Sequence, residues 1–227
     1  MVYPINLDRQ IIQQILGSIK ATMSPRPYRL GQRQASTEQT RARILSAARE
    51  LLMESRGFSG FSIDAVARQA DVARMTVYHQ FGSKIGLLEA LFDSLANLGG
   101  MEQLAGAFHQ ADSLAALDEY IRVFGRFWGS DRLVTRRIRS LAALDPDFEQ
   151  AVRARDEWRR QGLGVIVGRL AERYEQPASS RDEVVNILYT LISFECFDTL
   201  AGSTRSPEEV TPVVQRLARA ALGLDTS

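Results

Sequence analysis

Between Arg74 and Lys84 the sequence gathers a guanidinium, a thioether, a hydroxyl, a phenol, an imidazole and an ammonium: Arg74, Met75, Thr76, Tyr78, His79 and Lys84. This set suits a surface that meets a polyanion. An arginine can bond bidentately to guanine, a threonine can offer its hydroxyl or its methyl to a base, and a methionine offers apolar contact alone. His79 can reach phosphate or base. Lys84 falls in the first turn of a helix, where a cation opposes the helix dipole. A phosphate at that helix start would relieve the conflict through the ammonium and the free backbone N–H groups. Two of these residues also have plainer roles: Arg74 as a phosphate anchor and Lys84 as a solvated charge.

The elements that must hold these groups run from Ser62 to Lys84. The pattern is a short amphipathic helix, a tight turn and a second short helix, with a third opening directly after. Val66, Ala67 and Ala70 face inward in the first, Val77 and Phe81 in the second. Ser62 is a fitting N-cap, and Phe61 can staple onto Val66. Two helices joined this closely fit a DNA-binding helix-turn-helix, with base reading at the front of the second helix. They also fit an ordinary helical hairpin in an all-α core.

The whole chain, 227 residues with 45% hydrophobic and 24% charged, can bury a core and remain soluble. Ala, Leu, Arg, Glu and Gln dominate long periodic segments, and alternating β-branched runs are scarce, so an all-α fold is expected. The net charge of +1 hides an asymmetry: residues 1–84 hold 12 Lys/Arg against 6 Asp/Glu, and residues 85–227 hold 16 against 21. A basic front fits a polyanion partner, although counts this small also arise by chance scatter. The single cysteine, Cys196, excludes an internal disulfide and reads as buried and inert. No run approaches the ~18 consecutive apolar residues of a membrane span, and the first residues lack a signal-peptide pattern. No membrane association and a cytoplasmic location are the resulting expectations. His79 and His109 are the only histidines and share no metal-ligand spacing. Neither a nucleophile elbow nor a Gly-rich phosphate loop occurs, so no catalysis and no cofactor are expected.

Three domains are expected. Residues 1–35 form a basic arm, partly disordered, in which Arg26, Arg29 and Arg33 either follow phosphates or a minor groove or belong to a solvated tail. Residues 1–23 read as a weak amphipathic helix; with Met23 as a second possible start, the first 22 instead lie ahead of the protein proper. Residues 36–98 form the helix-turn-helix domain. Its first helix starts at Ser36 or Thr37 with a Ser36–Gln39 capping box, buries Ile44, Ala48, Leu51 and Leu52, and stops at Gly57. Its last helix carries the stripe Leu87, Leu88, Leu91, Leu95 and Leu98.

Residues 99–227 form a helical bundle with spans near 101–110, 113–128, 131–144, 147–174, 181–201 and 207–222. The helix 181–201 is apolar nearly all round, so it is expected to be buried on both sides. With the last helix it suggests a symmetric four-helix contact between two copies of the chain, a homodimer; a monomer with a large core is the alternative. Phe124, Phe127, Trp128, Trp158, Tyr189 and Phe194, with His109, Glu195 or Cys196 as polar handles, are candidates for a small-molecule site. The same set describes a helical core. Gly162, Gly164 and Gly168 serve close packing or room for a ligand, and the basic run Arg132, Arg136, Arg137 and Arg139 reads as a solvated face.

The segment from about Thr37 to Ala96 resembles the TetR family of transcriptional regulators. The residues that carry this are I-L-S-A-A-R-E-L-L, then G-F-S-G-F-S-I-D-A-V-A, then A-D-V-A-R-M-T-V-Y-H-Q-F-G-S-K, then L-L-E-A-L. The resemblance implies an N-terminal three-helix helix-turn-helix domain joined to a C-terminal dimerisation and effector domain. It implies a homodimeric repressor on a palindromic operator in double-stranded DNA, released by a small-molecule effector. It makes Tyr78 and Ser62 phosphate contacts. Three departures stand out: Asp71 replaces the usual turn glycine, Ala73 the usual serine cap, and Gly86 the acid that completes a capping box with Ser83. They leave open a dimeric ligand-binding or interaction protein with a degenerate DNA-binding domain.

Overall fold

The computed structural model describes residues 32–54, 60–173 and 180–224. The arm before residue 32, Gly57 and Pro177 lie outside these. The described residues form helices without strands, in two compact units.

The first unit contains residues 32–95 and 131–153. It holds α1 (Gln32–Met53), α2 (Ile63–Gln69), α3 (Arg74–Phe81), most of α4 (Lys84–Leu98), α7 (Arg132–Ala142) and the start of α8 (Pro146–Arg173). Ile44, Ala48, Leu52, Val66, Ala67, Val77, Leu87, Leu88 and Leu91 form its core. Helix α1 starts four residues earlier than the capping box suggests. Gln32, Arg33, Gln34 and Ala35 favour helix, so the helix runs on from there. Ser36 is then internal, its carbonyl accepting from Thr40 Oγ1 at 2.9 Å.

Residues 131–153 sit with this unit, although the sequence pattern assigns them to the C-terminal bundle. Two side chains account for it. Asp131 caps α7 by accepting from Val134 N at 3.3 Å, and it takes Arg49 of α1 in an ion pair. Arg137 donates to the Leu52 carbonyl and, at 2.6 Å, to the Glu54 carbonyl. Carbonyls at a helix end lack intrahelical partners, so part of the supposed solvated basic face caps α1.

The second unit contains residues 96–130 and, from residue 154 on, the rest of α8 and the helices C-terminal to it. After a 3-10 turn it holds α5 (Leu104–His109), α6 (Ser113–Ser130), α9 (Arg181–Leu191), α10 (Phe194–Ala201) and α11 (Thr211–Ala221). A row of aromatic rings runs Phe108, Tyr120, Phe124, Trp128, Phe194, with successive centroids 5.9, 5.1, 5.9 and 5.7 Å apart. Gly162 is required beside it, because a β-carbon there would lie 2.6 Å from the Tyr120 hydroxyl. Gly168 makes room for the Arg181 guanidinium, which also donates to the Gly164 carbonyl at 2.7 Å.

The single helix expected over 181–201 is two, bent by 49°. Ser193 takes an extended conformation, accepts from Cys196 N at 3.1 Å and donates to the Thr190 carbonyl at 2.7 Å, so it starts a new helix. The buried Trp128 indole N–H takes the Ile192 carbonyl at the break, at 3.0 Å. The last helix starts at Thr211. The Ser206–Glu209 pair forms the reciprocal capping box over the preceding turn, with bonds of 2.6 and 3.1 Å. No single described helix is long and apolar enough to cross a membrane.

Candidate nucleic-acid interface

Ser62 caps α2 by accepting from Ala65 N at 3.1 Å. Helix α2 then ends on Asp71, the one non-glycine residue with positive φ among those described, at 51°. Val72 N donates to the Ala67 carbonyl at 3.0 Å and Asp71 N to the Arg68 carbonyl at 3.2 Å, which is a Schellman ending. An aspartate tolerates this left-handed position better than most side chains, so the turn forms without its glycine. Ala73 stands at the start of α3 with an extended backbone and no side-chain cap. The loss of that capping bond, read from the sequence, is therefore real.

Val77 is buried and fixes the inner face of α3. Phe81 lies under the Arg41 guanidinium, 4.4 Å from ring centroid to cation, and Arg41 also donates to the Gln80 carbonyl at 3.2 Å. These contacts leave the outer face open. Arg74, Met75 and His79 are exposed, Met75 by 59%, and Thr76 and Tyr78 are half-buried. Arg74 and Tyr78 are brought together: Arg74 Nη2 donates to the Tyr78 hydroxyl at 3.3 Å, and the guanidinium lies 5.5 Å from the ring centroid. Its other arm pairs with Asp64 of α2 at 3.3 Å. The Tyr78 hydrogen bond, then Asp64, raise the Arg74 pKa above its ordinary value. The sequence pattern does not single out Asp64 at this site, although its place in the first turn of α2 suits the helix dipole.

Ser83 starts α4 by accepting from Gly86 N at 3.0 Å. The missing acid at 86 has a steric cause: a β-carbon there would collide with the Phe81 carbonyl oxygen. Lys84 opens α4, a helix with no acid in its first turn, and its ammonium lies 5.7 Å from the ring centroid of Phe61, the neighbour of Ser62.

The ligand candidates divide. Phe124, Phe127, Trp128 and Phe194 are buried together, and Tyr189 is half-buried near them. Trp158 is 39% exposed, and Glu195 and His109 are exposed, so none of these three lines that cluster. Burial pushes the Cys196 thiol pKa up. A cavity of about 280 Å³ in the same unit is lined by Leu98, Gly99, Gly100, Gln103, Arg126, Gly129, Ser130 and Glu208, and no candidate residue borders it. The sequence pattern missed Arg159, the one Lys or Arg that is buried among the described residues. The register of α8 reveals it, since Phe148, Val152, Leu163, Ile166 and Leu170 are buried and place residue 159 on the same face.

Residues 44–91 match the family of bacterial regulatory proteins described as tetR, through its N-terminal domain. The HTH-type transcriptional regulator UidR of Escherichia coli K12 is 40% identical over 58 residues, 26% of this chain and 29% of UidR. The HTH-type regulator AlkX of Mycobacterium tuberculosis is 36% identical over 77 residues, 34% of this chain and 36% of AlkX. The chain thus spans only about a third of the length of these curated relatives. Solved structures extend the likeness as fold. A TetR-like transcriptional regulator from Rhodococcus sp. RHA1 superposes with a TM-score of 0.63 at 21% identity, over 87% of this chain and 100% of that one. A TetR transcription regulator from Haloarcula marismortui gives 0.63 at 17% identity, over 82% and 97%. Residues 44–91 thus carry the N-terminal domain of the tetR family, and most of the chain's length carries the fold of solved TetR-type regulators.

Proposed function

We propose that this chain is a sequence-specific DNA-binding transcriptional regulator: a ligand-responsive repressor that acts as a homodimer on a palindromic operator. The observation that carries the reading is the outer face of α3, where Arg74, Met75 and His79 are exposed and Thr76 is half-buried, while Val77 anchors the helix from behind. Base reading falls to Arg74, Met75 and Thr76, with His79 at the edge of the contact. Ser62, Tyr78 and Lys84 hold phosphates, Lys84 from a helix start that favours an anion. In free protein Arg74 is held by Asp64 and Tyr78, and DNA takes over that guanidinium.

The homodimer rests on α9 and α11. They pack on each other, yet Ile187 stays 37% and Leu217 42% exposed, an apolar surface that suits a second copy. An effector that binds the second unit acts by linkage: whatever it favours in the spacing of two helix-turn-helix domains, DNA must oppose or share. The second reading, a dimeric ligand-binding or interaction protein, draws on the uncapped α3 at Ala73. Anisotropy titrations with a duplex from the gene's own upstream region separate the two. A specific, salt-dependent complex is expected; no complex at low salt on that duplex would favour the interaction protein.

A further inference from the structure

Arg159 stands on the buried face of α8, and its side chain is only 3% exposed. A guanidinium remains charged in any protein interior, and burying it is costly unless its donors are met. Three aromatic rings surround it. Tyr189 has its centroid 4.5 Å from the guanidinium carbon, Trp128 5.6 Å and Phe124 5.9 Å. Ring faces stabilise the cation, but they do not accept its in-plane N–H bonds. Asp156 pairs with Nη2 at 3.3 Å, and it is itself 17% exposed. Nε and Nη1 are buried with no hydrogen-bond partner. The Tyr120 hydroxyl donates to the Arg159 backbone carbonyl at 2.8 Å and holds this turn of α8 against the aromatic row.

A residue kept only for packing would do as well or better as methionine or leucine, since buried ion pairs rarely outperform apolar side chains of similar volume. Unmet donors on a fixed charge, walled by rings, describe one half of a binding site. From this we infer that Arg159 is the anchor of an anion subsite in the second unit, which takes the carboxylate of a small organic acid with an aromatic body. The carboxylate accepts from Nε or Nη1, and the ring of the ligand joins Tyr189, Trp128 and Phe124. The inference rests on the reading of this unit as the effector domain and names the chemical class of its effector.

The test uses the full chain without DNA, with sodium benzoate as probe, benzamide as its neutral isostere and sodium chloride as the ionic-strength control. Benzoate is expected to raise Tm and to change tryptophan emission through Trp128, and benzamide to do much less. Arg159→Met is expected to weaken benzoate binding about 10- to 100-fold, and to raise the Tm of the ligand-free protein by removing two unmet buried donors. Arg159→Lys keeps the charge and a single point donor, so it should bind benzoate at intermediate strength even if the methionine variant fails to fold. No benzoate response in the parent chain would overturn the inference. So would equal responses to benzoate and benzamide, a lysine variant that binds like the parent, or a methionine variant that folds but melts lower without ligand, which would make Arg159 a structural partner of Asp156. DNA binding is read separately. Benzoate binding that fails to release DNA leaves the anion site intact and refutes the coupling, whereas a chain that binds benzoate but no DNA refutes only the regulatory reading.

Discussion

Two arginines in this chain lie over tyrosine rings in opposite surroundings. Arg74, its side chain 57% exposed, lies 5.5 Å from Tyr78 and shares Asp64. Arg159, 3% exposed, lies 4.5 Å from Tyr189 and shares Asp156. The local motif is the same, and water separates the two cases. Around Arg74, solvent satisfies every donor that protein does not, so the side chain can change partners at small cost. Arg159 is shut away from bulk solvent, so each donor that the protein leaves unmet weighs on the fold until a ligand meets it. The proposed roles follow this difference, Arg74 as a reader of a surface and Arg159 as an anchor that waits for a guest.

The contrast implies that the aromatic unit is the more brittle. Trp128→Ala removes a fully buried indole and its bond to the Ile192 carbonyl. Urea denaturation should show a loss of about 3–5 kcal/mol; a loss under 1 kcal/mol would mean that the aromatic row is loosely packed. On the exposed side, Arg74→Ala should leave folding intact and relax discrimination at one base pair by about 1–3 kcal/mol. A loss spread evenly over all sequences would demote Arg74 to a phosphate anchor. Asp64→Asn should tighten DNA binding, because it frees Arg74 and removes a negative charge beside it.

A fourth substitution probes α3 itself. Ala73→Ser supplies the absent cap on a backbone already extended, and should stabilise the first unit by about 0.5–2 kcal/mol, visible as a higher Tm. Lys84→Ala should weaken binding to all duplexes alike and reduce the slope of log K against log salt by about 1; Tyr78→Phe should also act uniformly. Sequence-dependent losses in either would undo their assignment as phosphate grips.

The smallest effect concerns pH. Hydrogen bonds from Gln69 and then Ser46 hold the Glu50 carboxyl below its ordinary pKa. The folded state therefore binds its proton less readily than the unfolded one. Its stabilising share is present above the ordinary carboxylate range and fades as pH falls through the depressed folded value. Glu50→Gln should remove that component from the acid limb of a pH–stability profile.

The helix-turn-helix is legible in the sequence because local rules govern it. Ser62 caps, Val66, Ala67 and Val77 repeat at helical spacing, and Asp71 is among the few residues that accept a left-handed turn. The start of α1 is harder to read, since Ser36 offers a cap but nothing after Gly31 interrupts the helix. The break at Ser193 is hidden in an apolar run, because a serine that ends one helix and starts another looks the same in sequence as a serine within one. The roles of Arg137 and Arg159 depend on contacts with residues more than twenty positions away. Their arginine-rich neighbourhoods imitate solvated faces, and only the buried register of α8 distinguishes Arg159.

Selection of bound duplexes from a random DNA pool, with the full chain and with Arg74→Ala, tests the central claim most directly. The parent chain should enrich a palindrome with fixed half-site spacing, and the variant the same palindrome with one base position per half-site relaxed. No enrichment at low salt, or an unchanged motif from the variant, would contradict the assignment of the α3 surface as the reader.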